Sequence, residues 1–230
     1  MAIVCVAGTG TGVGKTAVAE FLLGRFPGWS AARIRVADEL SQADTAALGD
    51  ADHRLLSVTA ASADAETARF LAAGAREMLL LLAQPRGLAA GLKAMLARMP
   101  ADANAVVEGN AFLWGHDADV AVMVIGPGPS GKGLGRVRGS VRELFAKISI
   151  WAWNTQRDPA EEGFFDFPIA LAKMGFKQAV SNQAEYHHVN PREDGHSGNT
   201  PFANAVRQAL ERKHWRRGSD EFLRKAGFNT

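Results

Sequence analysis

The sequence predicts a doubly wound α/β fold, a mostly parallel sheet with helices on both faces. Three observations lead there. Strand-sized apolar runs alternate with helical patterns along the chain. One of those runs, 120–125, is apolar at every position, as in a parallel strand covered on both faces. The first run ends in a glycine loop that opens directly onto a helix.

Taken in order, residues 2–7 form a short apolar run ended by glycines, and Val18, Phe21 and Leu22 recur at helical spacing over residues 15–25, giving strand, loop, helix. Residues 33–37 read as a second strand. The stretch 38–62 is rich in small residues, holds one candidate strand at 55–58, and is left open. Residues 65–73 are helical in pattern and stop at Gly74, a suitable residue for a helix C-terminus. After the strand at 78–83, Pro85 and Pro100 bracket a helix carrying Leu88, Leu92, Met95, Leu96 and Met99. Residues 103–107 are the next strand, followed by 120–125, a short helix at 141–145 and a strand at 148–153. The last third brings a helix at 168–174, a strand at 178–180, a polar loop at 182–199 and a helix at 201–215. No repeat or low-complexity linker divides the chain, so residues 1–230 are read as one domain, with 200–230 as a basic helical extension at its end.

Composition narrows the function class. With 230 residues, 47% of them hydrophobic and 22% charged, the chain is neither disordered as a whole nor too short for a core that needs no staples. Its single cysteine, Cys5, excludes an intrachain disulfide and a Cys-based metal cage. The longest apolar runs fall well short of the roughly 18 residues that a spanning helix needs. No basic region precedes the first apolar run, so a cytoplasmic protein is expected, without a membrane partner. Net charge is only +2, yet residues 207–225 carry seven Lys or Arg against three acids. A solvated basic helix accounts for that better than a nucleic-acid contact.

The stretch with the most specific chemistry is Gly8-Thr9-Gly10-Thr11-Gly12-Val13-Gly14-Lys15-Thr16. Glycines let consecutive N–H groups turn inward at a helix N-terminus and form an anion-binding nest. Lys15 is placed to reach the β- and γ-phosphates of a nucleotide, and the Thr16 hydroxyl to ligate Mg²⁺, with a further contact expected at position 17. Five residues separate Gly8 from Gly14, one more than the strict phosphate-loop spacing allows. In that longer form the motif, Gly-Thr-x-Thr-x-Val-Gly-Lys-Thr, resembles dethiobiotin synthetase and the cobyrinate amidating enzymes, members of the phosphate-loop (P-loop) NTPase class that includes MinD and nitrogenase iron protein. A second resemblance covers 66–110. Glu66-Thr67-Ala68-Arg69, then Ala73-Gly74-Ala75 and Val106-Val107-Glu108-Gly109, are similar to segments of the small accessory GTPases of molybdopterin-guanine-dinucleotide biosynthesis.

The resemblance implies a P-loop fold, ATP or GTP with Mg²⁺ as cofactors, catalytic roles for Lys15 and Glu108, and Thr16, Glu108 and Glu66 around the metal. For Glu108 the residues agree independently: a carboxylate that ends an apolar strand before Gly109 lies at the C-terminal edge of an open sheet, beside the phosphate loop. Glu66, in the first turn of a helix, is also explained by the helix dipole. Asp38 is the remaining metal candidate, with a helix-capping role beside Ser41 as its rival. Where dethiobiotin synthetase has a Lys-Pro pair and the accessory GTPases a histidine-rich turn, this chain reads Val36-Ala37-Asp38-Glu39, so neither substrate is carried over. The strand at 148–153 is followed by Asn154-Thr155-Gln156-Arg157, and Arg157 cannot accept the hydrogen bonds by which an aspartate reads guanine. ATP is expected over GTP, with Asn154 as a base contact.

Further features are weaker. The spacing of Gly126 to Lys132 imitates a second phosphate loop, but Gly133 stands where a hydroxyl is required. The stretch reads either as a solvent loop or as a loop carrying Lys132, Arg136, Arg138 and Arg142 over an anionic substrate. His187 and His188, with Glu185, Asp194 and His196, offer metal-ligand chemistry, though adjacent histidines in an extended segment point apart. Asn110 and His116 follow the Glu108 strand and are candidate substrate contacts. Trp114, Trp151 and Trp153 are expected in the core or at an interface, which leaves a homodimer open. The expected activity is Mg²⁺-dependent ATP hydrolysis or phosphoryl transfer to a small anionic substrate in cofactor metabolism. The alternative is a nucleotide-gated adaptor that delivers a molybdopterin or metal cofactor to a protein partner.

Overall fold

The computed structural model describes residues 1–59, 65–126, 138–154, 185–189 and 199–215, with the side chains at 38, 65, 185, 186, 188 and 213–215 outside that description. Eight strands form one sheet: β1 (Ile3–Gly8), β2 (Ser30–Val36), β3 (His53–Val58), β4 (Met78–Ala83), β5 (Ala105–Glu108), β6 (Val120–Ile125), β7 (Ile150–Asn154) and β8 (Glu185–Val189). Their order is β3-β4-β2-β5-β1-β6-β7-β8, and only β3 runs antiparallel, paired with β4. The described helices are α1 (Lys15–Arg25), α2 (Gln42–Leu48), α3 (Ala65–Ala72), α4 (Leu88–Arg98), α5 (Asn110–Gly115), α6 (Gly139–Arg142) and α7 (Asn199–Trp215), with short 3₁₀ turns at Ala37–Glu39, Pro85–Gly87 and Glu143–Lys147.

Alternation along the strands builds two cores. In β1, Ile3, Cys5 and Ala7 face a layer made by α4, α5 and α6, through residues such as Leu92, Phe112 and Val141. Ala2, Val4 and Val6 face the other layer, where Val18, Leu22, Phe70, Phe202 and Val206 bring in α1, α3 and α7. Helices thus cover both faces, and β1, β4 and β6 are buried along their whole length, as the unbroken apolar run of β6 predicts for that strand. A satellite cluster of Leu48, Leu80 and Leu82 seats α2.

The open stretch after β2 resolves into α2 and the antiparallel edge strand β3. A capping box starts α2: the Ser41 hydroxyl accepts from the Asp44 amide at 3.1 Å, and the Asp44 carboxylate accepts from the Ser41 amide at 2.9 Å. The polar stretch expected as a loop at 182–199 contains β8, which lies parallel to β7 at the end of the sheet. His187 lies on the face covered by α7, on the same side as buried Val189, and packs against Phe202. The expected helix at 168–174, the strand at 178–180 and the basic loop around Lys132 lie outside the described residues. Among the described residues no helix is long and apolar enough to cross a membrane.

The chain crosses from one side of β1 to the other between β5 and β6, by way of α5. Open parallel sheets form their ligand crevices at such reversals, beyond the C-terminal ends of the strands.

Candidate phosphate and metal site

The glycine loop joins β1 to α1 at that crevice. Gly12 and Gly14 take left-handed conformations, with φ of 74° and 101°. Gly14 is the N-cap of α1 and has no side chain to cap the helix. The first-turn amides of α1 are therefore left without a side-chain acceptor at the end of the helix that favours anions. A Cβ at position 14 would run into the side-chain amide of Asn154, so both torsion and space demand glycine. Thr9, Gly10, Thr11 and Gly12 are partly or fully exposed along the loop, while Val13 is buried beneath it. Lys15 folds back and donates from Nζ to the Gly10 carbonyl at 3.1 Å, closing the loop on itself. The contact expected at position 17 falls on Ala17, which is buried and has no hydroxyl, so only its backbone amide is available.

Two asparagines hold this loop, and neither role was legible in the sequence. β5 ends at Glu108, one rung short of Gly8, so the edge of β1 would be left unpaired there. Asn110 completes the ladder with its side chain: Oδ1 accepts from the Gly8 amide at 2.8 Å and Nδ2 donates to the Gly8 carbonyl at 2.9 Å. At the other end of the loop, buried Asn154 at the close of β7 donates from Nδ2 to the Val13 carbonyl at 3.0 Å. The amide expected to contact a base is thus engaged with the loop backbone. His116 falls away from the site, because α5 carries it toward the start of β6, where it stacks on Phe112.

Glu108 lies where its place at a strand end predicts. It is 3% exposed, and its Oε2 accepts a long hydrogen bond of 3.4 Å from the Thr16 hydroxyl. Burial pushes its carboxyl up from the ordinary range, opposed by the nearby charges of Arg33 and Lys15 and assisted by that of Glu66. Glu66 joins the same cluster through an intermediary. Its carboxylate, half exposed, meets Arg33 Nη2 at 2.6 Å, while Arg33 Nε stands 3.4 Å from Glu108 Oε2. Arg33 sits on β2 directly across from Glu108. Two residues on, Arg35 pairs with Asp44 through Nη1, 2.9 Å from each carboxylate oxygen. Burial alone would raise the Asp44 carboxyl, but hydrogen bonds from Ser41 and the charge of Arg35 hold it below its ordinary value. A signal for both arginines existed: two cations two residues apart in an otherwise apolar strand share one face and must find partners there. On the helix above, Arg69 reaches Glu20 of α1 at 2.6 Å, fixing α3 over the site.

The side chain of Asp38, the last metal candidate, lies outside the described residues. Among the described residues no group of three or more His, Cys, Asp or Glu is placed to hold a metal, and His187 packs against Phe202. Thr16 and Glu108 together offer two neighbouring oxygen donors, the hard-ligand set that suits Mg²⁺ beside a phosphate. The nearby glycine-lined helix N-terminus suits the phosphate itself.

Compared with known proteins, the chain matches no protein-family model and no curated protein.

Proposed function

We propose that the chain is a P-loop protein that binds a Mg²⁺-nucleotide, ATP in preference to GTP, and transfers or hydrolyses its γ-phosphate. The observation that carries the reading is the geometry of residues 8–16. A left-handed glycine caps α1 without a side chain, and Thr16 in the first turn donates to the buried carboxylate of Glu108. In this reading the loop amides and the first turn of α1 bind the phosphates, and Lys15 leaves the Gly10 carbonyl to neutralise the β- and γ-phosphoryl oxygens. Thr16 and Glu108 hold Mg²⁺, which supplies further charge neutralisation when bound. Attack on the γ-phosphate, by water or by a carboxylate substrate that becomes an acyl phosphate, is then favoured by positioning and electrostatics. The buried, unpaired thiol of Cys5 is consistent with a reducing cytoplasm.

Lys15→Ala tests the reading. A charge-assisted contact to phosphate contributes about 1.5–3 kcal/mol, so ATP-Mg²⁺ affinity measured by calorimetry should fall by roughly tenfold or more. Unchanged affinity in a folded variant refutes the phosphate-loop assignment. A competition titration in which GTP outbinds ATP tenfold would reverse the base preference and favour an accessory GTPase.

A further inference from the structure

Arg33 bridges the two carboxylates expected at the metal, with Arg35 Nη2 farther away at 3.8 Å from Glu66 Oε2. Its Nε lies 3.4 Å from Glu108 Oε2 and its Nη2 lies 2.6 Å from Glu66 Oε2. Its remaining nitrogen, Nη1, is buried with no hydrogen-bond partner. Glu108 Oε2 is also the oxygen that accepts from Thr16. A divalent ion on the Thr16 hydroxyl and the guanidinium of Arg33 would therefore compete for a single carboxylate oxygen.

From this juxtaposition we infer that Arg33 is a built-in counter-cation of the metal site. It holds Glu108 and Glu66 while no divalent ion is present, and it yields Glu108 when Mg²⁺ arrives with the nucleotide. The inference rests on reading residues 8–16 as a Mg²⁺-nucleotide site.

Three features favour this over a plain structural brace. A guanidinium stays charged at any pH the protein meets, so it opposes an incoming dication and has to be displaced. The unsatisfied Nη1 marks the observed position as one set by the two carboxylates and not by a complete set of partners. Arg35, on the same face of β2, is by contrast tied to both oxygens of buried Asp44 and stands no nearer than 3.8 Å to Glu66, whereas Arg33 is the arginine that contacts Glu108. Glu66 is its natural resting partner after the exchange, being the closer contact and half exposed. Arg33 is on this account a positioning residue, setting how much Mg²⁺ the site needs before Glu108 becomes available.

The test is thermal denaturation of the full chain against MgCl₂, with and without ATP, in wild type, Arg33→Gln and Arg33→Lys. Without Arg33 the two carboxylates lose the guanidinium that bridges them, and only the more distant charges of Arg35 on Glu66 and Lys15 on Glu108 remain. The Arg33→Gln variant should therefore be less stable in EDTA, and the midpoint of its Mg²⁺-dependent rise in Tm should move at least threefold lower. Arg33→Lys keeps the charge but cannot span both carboxylates, so its midpoint should lie between the other two. If Arg33→Gln fails to fold in EDTA, recovery of a cooperative transition on adding MgCl₂ supports the inference. Absence of recovery, together with an unshifted Arg33→Lys, overturns it. A Mg²⁺ midpoint that is unchanged or higher in folded variants also overturns it, because a brace or a metal-assisting arginine gives that result. Lys15→Ala separates the two levels. If it leaves ATP binding intact, the nucleotide reading fails. If it abolishes ATP binding while the Arg33 variants keep the wild-type Mg²⁺ midpoint, only the counter-cation role fails.

Discussion

Replacing Asn110 by alanine should loosen the glycine loop at 8–16 from below while leaving every residue of the loop in place. The side chain supplies both a donor and an acceptor to Gly8, at 2.9 and 2.8 Å, where β5 has already ended. Each such bond contributes about 0.5–1.5 kcal/mol net, and the buried Gly8 amide would be left without its partner, so the expected loss is about 1–3 kcal/mol. For a chain of this length that corresponds to a fall in Tm of roughly 2–4 °C per kcal/mol. Affinity for ATP-Mg²⁺ should fall several-fold as well, because the loop then has to be ordered by the ligand. Asn110→Asp is the companion variant. Its carboxylate still accepts from the Gly8 amide but turns a second oxygen on the Gly8 carbonyl, so it should be no more stable than Asn110→Ala near neutral pH. Urea denaturation and binding of a fluorescent ATP analogue measure the two effects. If Asn110→Ala stays within about 0.5 kcal/mol of wild type, the size of an ordinary surface substitution, and its affinity is unchanged, the side chain is not holding Gly8.

Asn154→Ala should cost about 1 kcal/mol from its bond to the Val13 carbonyl, with ATP-to-GTP preference unchanged in a competition titration; an altered preference would restore Asn154 as a base contact. Ser41→Ala removes one arm of the capping box on α2 and should destabilise the fold by about 1 kcal/mol in urea. Because Asp44 is held below its ordinary value, its contribution to stability is complete above the carboxylate range and is lost as pH falls through it. Asp44→Asn should therefore narrow its deficit against wild type on acidification. Glu108 has the opposite sign: its raised carboxyl makes the folded state bind the proton more tightly, so wild-type stability declines as pH rises above the ordinary range. Glu108→Gln should remove that part of the decline and weaken Mg²⁺-dependent turnover roughly tenfold, as measured by phosphate release.

The legible parts of the molecule are those in which one local rule acts alone. The strands at 78–83 and 120–125 fall at their expected residues because burial on both faces leaves no polar position to blur their ends. Gly74 stops α3 with φ of 100°, as a C-terminal glycine should. In the open segment 38–62 the candidate strand at 55–58 falls within β3, whereas α2 did not register because it is only seven residues long, with just Asp44 and Leu48 buried. β8 was missed because an edge strand with His187 and Glu185 in it has the composition of a loop. At the site, the motif fixed the loop and the position of Glu108 fixed a carboxylate beside it. Asn110 was placed near the site by its position after Glu108, but its anchoring of Gly8 and the pairing of Arg33 with Glu108 depend on which strands are neighbours, and the placement of β5 between β1 and β2 is not written in any local pattern.

That placement has a mechanical consequence. Gly8 is held by Asn110, which follows β5, and Val13 by Asn154, which ends β7, so the loop is pinned at both ends by side chains from strands on opposite sides of β1. Between them Gly10 and Gly12 are exposed, and Gly10 is held from within the loop, by Lys15 Nζ on its carbonyl at 3.1 Å. The anchors supplied by the sheet thus lie at the two ends of the loop, and the exposed glycines lie between them. A substitution that shifts the end of β5 or β7 should then alter phosphate binding without touching the loop. One that changes an exposed residue between the anchors, Thr11 above all, should leave stability within about 0.5 kcal/mol and act on affinity alone.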